Sequence, residues 1–320
     1  MSETLGPGTI RGLRQLCAPS GHVCVVAVDQ RQALRKMLRA EGVEPTPTVL
    51  RSFKVDVARA LADVTPALLV DPEYGLPAVA ADPETPARLP LVVGVEQSGT
   101  VDFEGGQLSL PLDGWDAERA RDAGAAAAKL LVYLRADHEP TLEAGLRLCA
   151  DVKAACRRAD LPFVLELVPF RRDDEDAATY ARAFGSHVLG AAAIGAELRP
   201  DLLKLPWPGP LGEEEPDDGA LATLAALDVP WVLLSAGAPY ETFARRVGRA
   251  SREGGACGSI VGRALWQDAV GAADVPAALR AGARERLLRL LETLAACDSP
   301  FPVPELPVAD DWFRRQPLVA

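Results

Sequence analysis

Eight short apolar runs, each ended by polar residues and separated from the next by a helix-like stretch, limit what this chain can fold into more than any other feature. The runs fall at about 23–29, 67–71, 91–96, 127–134, 163–168, 201–205, 231–235 and 259–262. They are rich in Val, Leu and Ile and apolar on both faces, as parallel strands covered by helices should be. Helix-like segments lie between them, at 32–40 with 48–63, 117–123, 139–158, 174–193, 217–226 and 240–253, and a long one follows over 275–296. Eight strands alternating with helices over the length of one domain predict a (β/α)8 TIM barrel. An open doubly wound sheet would need fewer strands and usually a glycine-rich first turn, and no GxGxxG follows the first run. Segments 81–90 and 105–111 are expected to be loops around the third strand, and 213–219 a charged excursion after the sixth. The barrel should occupy residues 1–298. The proline-rich tail, 299–320, carries Phe301, Trp312 and Phe313 and should drape over the barrel or contact a neighbouring subunit.

The bulk properties narrow the possible partners. A chain of 320 residues, 48% hydrophobic and 25% charged, can bury a full core without disulfides. Its net charge of −11 argues against nucleic acid or an anionic membrane surface as the main partner, so an anionic substrate must be held by a local cluster of cations and backbone amides. The six cysteines form no CxxC pair, which suits a reducing cytosol. His22, His138 and His187 are far apart and make a catalytic zinc site improbable. The first apolar run is too short to span a bilayer, and no signal peptide is recognisable. A dimer is the default expectation for such a protein.

In a (β/α)8 barrel the chemistry sits where the strands end. The first run ends in Asp29-Gln30-Arg31, the second in Asp71-Pro72-Glu73-Tyr74 and the third in Glu96; the fourth carries Lys129 and Tyr133, the fifth Glu166 and the sixth Lys204. The seventh ends in Ser235-Ala236-Gly237 and the eighth in Gly262-Arg263, where such barrels commonly cradle phosphate. Lys204 stands out because basic charge in this chain is almost always arginine, the only lysines being Lys36, Lys54, Lys129, Lys153 and Lys204. Arginine stays protonated and cannot form an imine, whereas a desolvated lysine can attack a carbonyl. The plainer alternatives are a strand-end lysine that snorkels to water, an Asp29 that caps the next helix and an Arg263 that caps a surface loop. Glu166, set in an apolar strand, requires a cationic partner, and Lys129 or Lys204 on the neighbouring strands is the natural one.

The segments Val26-Ala27-Val28-Asp29-Gln30-Arg31-Gln32-Ala33-Leu34, Leu69-Val70-Asp71-Pro72-Glu73-Tyr74-Gly75-Leu76-Pro77-Ala78, Ala128-Lys129-Leu130-Leu131-Val132-Tyr133, Leu165-Glu166-Leu167, Leu203-Lys204-Leu205-Pro206, Leu234-Ser235-Ala236-Gly237 and Gly262-Arg263-Ala264-Leu265-Trp266 resemble, in order, the tagatose 1,6-bisphosphate aldolase family of class I aldolases. The resemblance runs from about residue 13 to 268. It implies a TIM barrel whose sixth-strand lysine, here Lys204, forms a Schiff base, with Glu166 as the proton-transfer group and Lys129, Asp29 and Gln30 beside it. It implies that no metal or other cofactor is needed. Sulfofructosephosphate aldolase is a close relative, but DPEYGLPA and LSAG favour the tagatose bisphosphate branch. Pro169-Phe170-Arg171-Arg172 departs from that branch's TYD-like turn and Leu205-Pro206-Trp207-Pro208 from its VEVP, so Arg171 and Arg172 could bind an anionic group differently.

On this resemblance, Lys204 would form an imine with C2 of a ketose 1,6-bisphosphate. The Lys129 ammonium and partial burial would favour the neutral amine. Glu166 would take the proton from the C4 hydroxyl. Asp29, Gln30 and Arg31 would line the substrate, and Ser235, Gly237, Gly262 and Arg263 would hold a phosphate. The products would be dihydroxyacetone phosphate and glyceraldehyde 3-phosphate. A catalytically silent barrel that binds a sugar phosphate and regulates a partner through its tail is the alternative from another class.

Overall fold

The computed structural model describes residues 5–304, so Trp312, Phe313 and most of the tail lie outside the described residues. Eight parallel strands close into a barrel: β1 (Val23–Ala27), β2 (Ala67–Val70), β3 (Leu91–Gly94), β6 (Ala127–Tyr133), β7 (Phe163–Val168), β8 (Leu202–Leu205), β9 (Trp231–Leu234) and β10 (Gly258–Val261), with β1 pairing both β2 and β10. Two further strands, β4 (Val101–Phe103) and β5 (Gly106–Leu108), form an antiparallel hairpin where a loop was expected. The helices are α1 (Pro7–Gln15), α2 (Gln32–Ala40), α3 (Pro47–Leu61), α4 (Gly75–Ala80), α5 (Ala117–Asp122), α6 (Glu139–Arg158), α7 (Ala177–Leu198), α8 (Ala220–Ala225), α9 (Tyr240–Gly254), α10 (Arg263–Trp266), α11 (Val275–Ala278) and α12 (Arg284–Ala295). A wider turn at Leu279–Ala283 joins the last two, so the long helix read at 275–296 is one rod with a π-bulge.

Side chains on a strand alternate between its two faces. One set faces the helices, as do Val26, Leu68, Val93, Leu130, Leu165, Leu203 and Leu233, and forms the main core. The other set fills the barrel: Val23, Val25, Ala27, Ala67, Leu69, Val92, Ala127, Val164, Leu202, Val232 and Ile260. Leu13 and Leu16, at the end of α1, close this inner plug from below together with Phe301, whose amide donates to the Gly21 carbonyl at 2.9 Å. Helix α1 was not foreseen, and its N-terminus is held by Asp160, which accepts from the Gly8 and Thr9 amides at 2.7 and 2.9 Å.

The alternation that fills the plug also sets the mouth. Counting two residues on from the inward Ala127, Val164, Leu202 and Ile260 gives Lys129, Glu166, Lys204 and Gly262; two on from Ala27 gives Asp29. The plug is apolar and the next layer up is ionic.

Candidate active site

Register brings three of these groups side by side. Gly94 pairs with Lys129, Leu131 with Glu166, and Glu166 with Lys204. The Lys204 amine lies 2.8 Å from Glu166 Oε2, and the same oxygen is 3.1 Å from Lys129 Nζ. Lys129 Nζ also donates to Asp29 Oδ2 and Glu96 Oε1, each at 2.9 Å. The second Glu96 oxygen accepts from the Leu131 amide at 3.1 Å, which fixes that carboxylate on the edge of β6. Lys129, Lys204, Glu166 and Glu96 are all buried. The structure thus gives Glu166 both cationic partners anticipated for it.

Each charge survives burial because of its neighbours. Desolvation works against the Lys129 ammonium, but the carboxylates of Asp29, Glu166 and Glu96 outweigh it and hold its pKa well above the usual lysine value. Desolvation likewise pushes Glu166 upward, and Lys129 and Lys204 more than reverse it, so this carboxyl is ionised below its ordinary range. Asp29 follows the same balance, with Lys129 the main opposing charge and Lys204 next. The site therefore holds a carboxylate within proton-transfer distance of an amine, locked in its basic form by a second amine that stays charged. Tyr133, on the same face of β6 as Lys129, stands half-buried above them, its phenol pKa raised by burial and then by Glu166.

The two predicted phosphate segments also meet. Ala236 and Gly237 both have left-handed backbone (φ 49° and 84°), and a Cβ on Gly237 would lie 3.1 Å from the guanidinium carbon of Arg263. Arg263 has no carboxylate in ion-pair reach among the described residues, so its charge is uncommitted. Ser235 is buried, and its carbonyl closes the turn by accepting from the Ala238 amide at 2.8 Å. Gly262 is required by close approach, because a Cβ there would stand 2.7 Å from the Ala27 carbonyl and 2.9 Å from Gln30 Nε2. The Gln30 Oε1 atom is buried without a hydrogen-bond partner among the described residues, an acceptor still to be satisfied.

Arg31 is placed differently from its predicted role. Its fork is spent on Glu73 (2.6 Å) and the Glu96 carbonyl (2.8 Å), so it braces the second and third strand ends instead of facing open space. Arg171 and Arg172 are engaged as well: Arg171 donates to the Glu175 carbonyl at 2.8 Å, and Arg172 pairs with Asp174 at 2.9 Å and Asp137 at 3.5 Å. Phe170, between that segment and the hairpin, is buried against His138. The sequence placed Glu96 at a strand end without a role, and Lys54 stood there only as one of the five lysines.

The family model for DeoC/LacD family aldolases matches residues 23–268. Tagatose 1,6-diphosphate aldolase 2 of Enterococcus faecalis is 31% identical over 322 residues, covering 92% of this chain and 96% of that one. A tagatose 1,6-diphosphate aldolase of Streptococcus pneumoniae is 31% identical over 278 residues, covering 81% and 84%. Among solved structures, an archaeal fructose-1,6-bisphosphate aldolase with its catalytic lysine bound to a carbinolamine intermediate superposes with a TM-score of 0.58 at 19% identity, covering 90% of this chain and 99% of that one. A fructose-bisphosphate aldolase from Slackia heliotrinireducens gives 0.61 at 17% identity, covering 91% and 94%; at these identities both likenesses speak to the barrel alone.

Proposed function

The chain belongs to the DeoC/LacD family of aldolases, and from that premise we propose that it cleaves a ketose 1,6-bisphosphate, D-tagatose 1,6-bisphosphate first among them, through an imine on Lys204. One observation carries the reading: a single carboxylate oxygen of Glu166 bridges the Lys204 and Lys129 amines at 2.8 and 3.1 Å. Relatives of about 30% identity named for tagatose 1,6-diphosphate support the choice of sugar.

The reaction follows from these contacts. Glu166 takes a proton from Lys204, whose free amine adds to C2 of the open-chain ketose. Glu166 returns that proton to the carbinolamine hydroxyl, which leaves as water to give a protonated imine, an electron sink next to C3. Glu166, kept ionised by Lys129, then takes the proton of the C4 hydroxyl. The C4–O electrons form the aldehyde carbonyl, the C3–C4 bond breaks, and its electron pair flows into the imine to leave an enamine. Glyceraldehyde 3-phosphate departs. Protonation at C3 regenerates the imine, and water releases dihydroxyacetone phosphate and Lys204. Proton transfer of this kind contributes about 10²–10⁴ in rate. Arg263 with the Ser235–Gly237 turn would hold a phosphate of the ketone half, and Gln30 Oε1 a hydroxyl.

The setting that suits this reading is the cytosol, in keeping with six free thiols. Among the described residues no helix is long and apolar enough to cross a membrane. The test is borohydride reduction in the presence of dihydroxyacetone phosphate, followed by peptide mapping. An adduct on Lys204 that is absent from a folded Lys204→Ala variant is the expected result. Folded wild type with no adduct on any lysine refutes the reading.

A further inference from the structure

Three of the five lysines are buried, and one of them has no part in the chemistry just described: Lys54, fully inaccessible on α3. The apolar face of that helix is formed by Leu50, Phe53, Val57, Ala58 and Leu61, and Lys54 falls on it where the helical period calls for a hydrophobic residue. An ammonium there is costly unless all three of its protons are used. They are: Nζ donates to the Val28 carbonyl in a very short contact, to the Gln30 carbonyl at 2.9 Å and to Asp71 Oδ2 at 2.8 Å. Asp71 is itself anchored, accepting from the amides of Glu73, Tyr74 and Gly75 at 3.1, 2.7 and 3.2 Å.

The carbonyls that Lys54 grips belong to the peptide bonds 28–29 and 30–31. Asp29 and Gln30 lie between them. This stretch begins after β1 has ended, so the sheet ladder reaches it only through the Val28 amide, which donates to the Leu69 carbonyl at 2.8 Å. The Asp29 carboxylate then meets Lys129 at 2.9 Å, and Lys129 meets Glu166.

We propose that Lys54 is a positioning residue for the aldol reaction, holding the Asp29–Gln30 turn so that the Asp29 carboxylate clamps Lys129 beside Glu166. The inference rests on the aldolase reading above. The chemistry also explains why lysine stands here in a chain of arginines: a compact ammonium directs three protons at three converging acceptors, which a planar guanidinium on the same helix position cannot do. Lys54 acts through Asp29, and its loss matters only while Asp29 is present.

The experiment is a double-mutant cycle on cleavage of D-tagatose 1,6-bisphosphate. Lys54→Met in the wild-type background should lower kcat/KM by about 100-fold, mostly in kcat, the scale of a misplacement of about 1 Å in a catalytic array. In an Asp29→Ala background the same change should cost less than about 3-fold, since there is no clamp left to misplace. A purely structural Lys54 would give equal losses in both backgrounds, and that result overturns the proposal. If Lys54→Met does not fold, Lys54→Arg preserves the charge facing Asp71; it should melt near the wild type yet show the same background-dependent loss, and a fully active Lys54→Arg also overturns the proposal. A wild type that cleaves no ketose bisphosphate removes both readings, whereas an active wild type with equal losses removes only this one.

Discussion

Replacing Lys129 with methionine tests the electrostatics of the site in one step. Methionine keeps an unbranched apolar stem one heavy atom shorter than lysine, so the main perturbation is the loss of one buried charge. Three carboxylates, Asp29, Glu96 and Glu166, face two ammonium groups in the wild type, a net charge of −1; with Lys204 alone the net is −2. Leaving such charge unpaired costs about 3–5 kcal/mol, but a carboxyl can escape by binding a proton. For a glutamate with an unfolded pKa of about 4.3, protonation at pH 7 costs about 4 kcal/mol at about 1.4 kcal/mol per pH unit, which caps the loss. The folded variant then carries a proton that its unfolded chain lacks, so its stability should fall as pH rises, by about 3 kcal/mol between pH 5.5 and 7.5. The wild-type cluster behaves otherwise. The depressed Glu166 and Asp29 contribute stability above the ordinary carboxylate range that is lost only as pH falls through their folded values, and the raised Lys129 contributes below the ordinary lysine range until pH rises through its own. Across pH 5.5–7.5 the wild-type contribution is therefore flat. Urea melts of both proteins at several pH values in this window give the comparison, and parallel pH dependences would refute the reasoning.

Two further changes probe the steps separately. Glu166→Gln should slow cleavage by about 10²–10⁴ while the borohydride adduct still forms on Lys204, more slowly; cleavage at the wild-type rate would remove Glu166 from the proton transfers. Gly262→Ala places a methyl 2.7 Å from the Ala27 carbonyl and 2.9 Å from Gln30 Nε2. It should destabilise the fold by about 1–3 kcal/mol and raise KM by displacing Gln30; an unchanged melt and KM would show that the strand end yields freely.

How much of this was legible in the chain depends on the range over which each feature is encoded. All eight barrel strands could be read, because burial on both faces writes itself as continuous apolar runs. Six of the readings overshot at the C-terminal end: the fourth by the buried Leu134 alone, the other five by taking in Asp29, Asp71, Glu96, Ser235 and Gly262, where the structure stops at Ala27, Val70, Gly94, Leu234 and Val261. Those residues continue the path of the strand but have left its ladder, which is why they are free to serve the mouth. The β4–β5 hairpin was missed because β4 is exposed throughout and its turn is Glu104-Gly105, both left-handed, in place of the Asn-Gly or Asp-Gly that usually announces a two-residue turn. Helix α1 was missed because its cap, Asp160, comes from the far end of α6.

The charged groups of the candidate site were legible for a physical reason. Alternation on parallel strands places a charged residue inside the barrel only where the strand end lets it meet a counter-charge, so an amine or carboxylate at such a position marks the mouth. Lys54 obeys the same logic on a helix. At the spacing of Leu50, Phe53, Val57, Ala58 and Leu61 a lysine is as anomalous as Glu166 is in its strand, and the scarcity of lysine in the chain sharpens the signal. What the sequence could not supply was the identity of its acceptors. Two are backbone carbonyls of Val28 and Gln30, which carry no side-chain signature, and they become acceptors only once α3 lies against the ends of β1 and β2. Side chains that act on one another through strand register can be anticipated from a chain; a side chain that acts through the backbone of another residue becomes visible only in the fold.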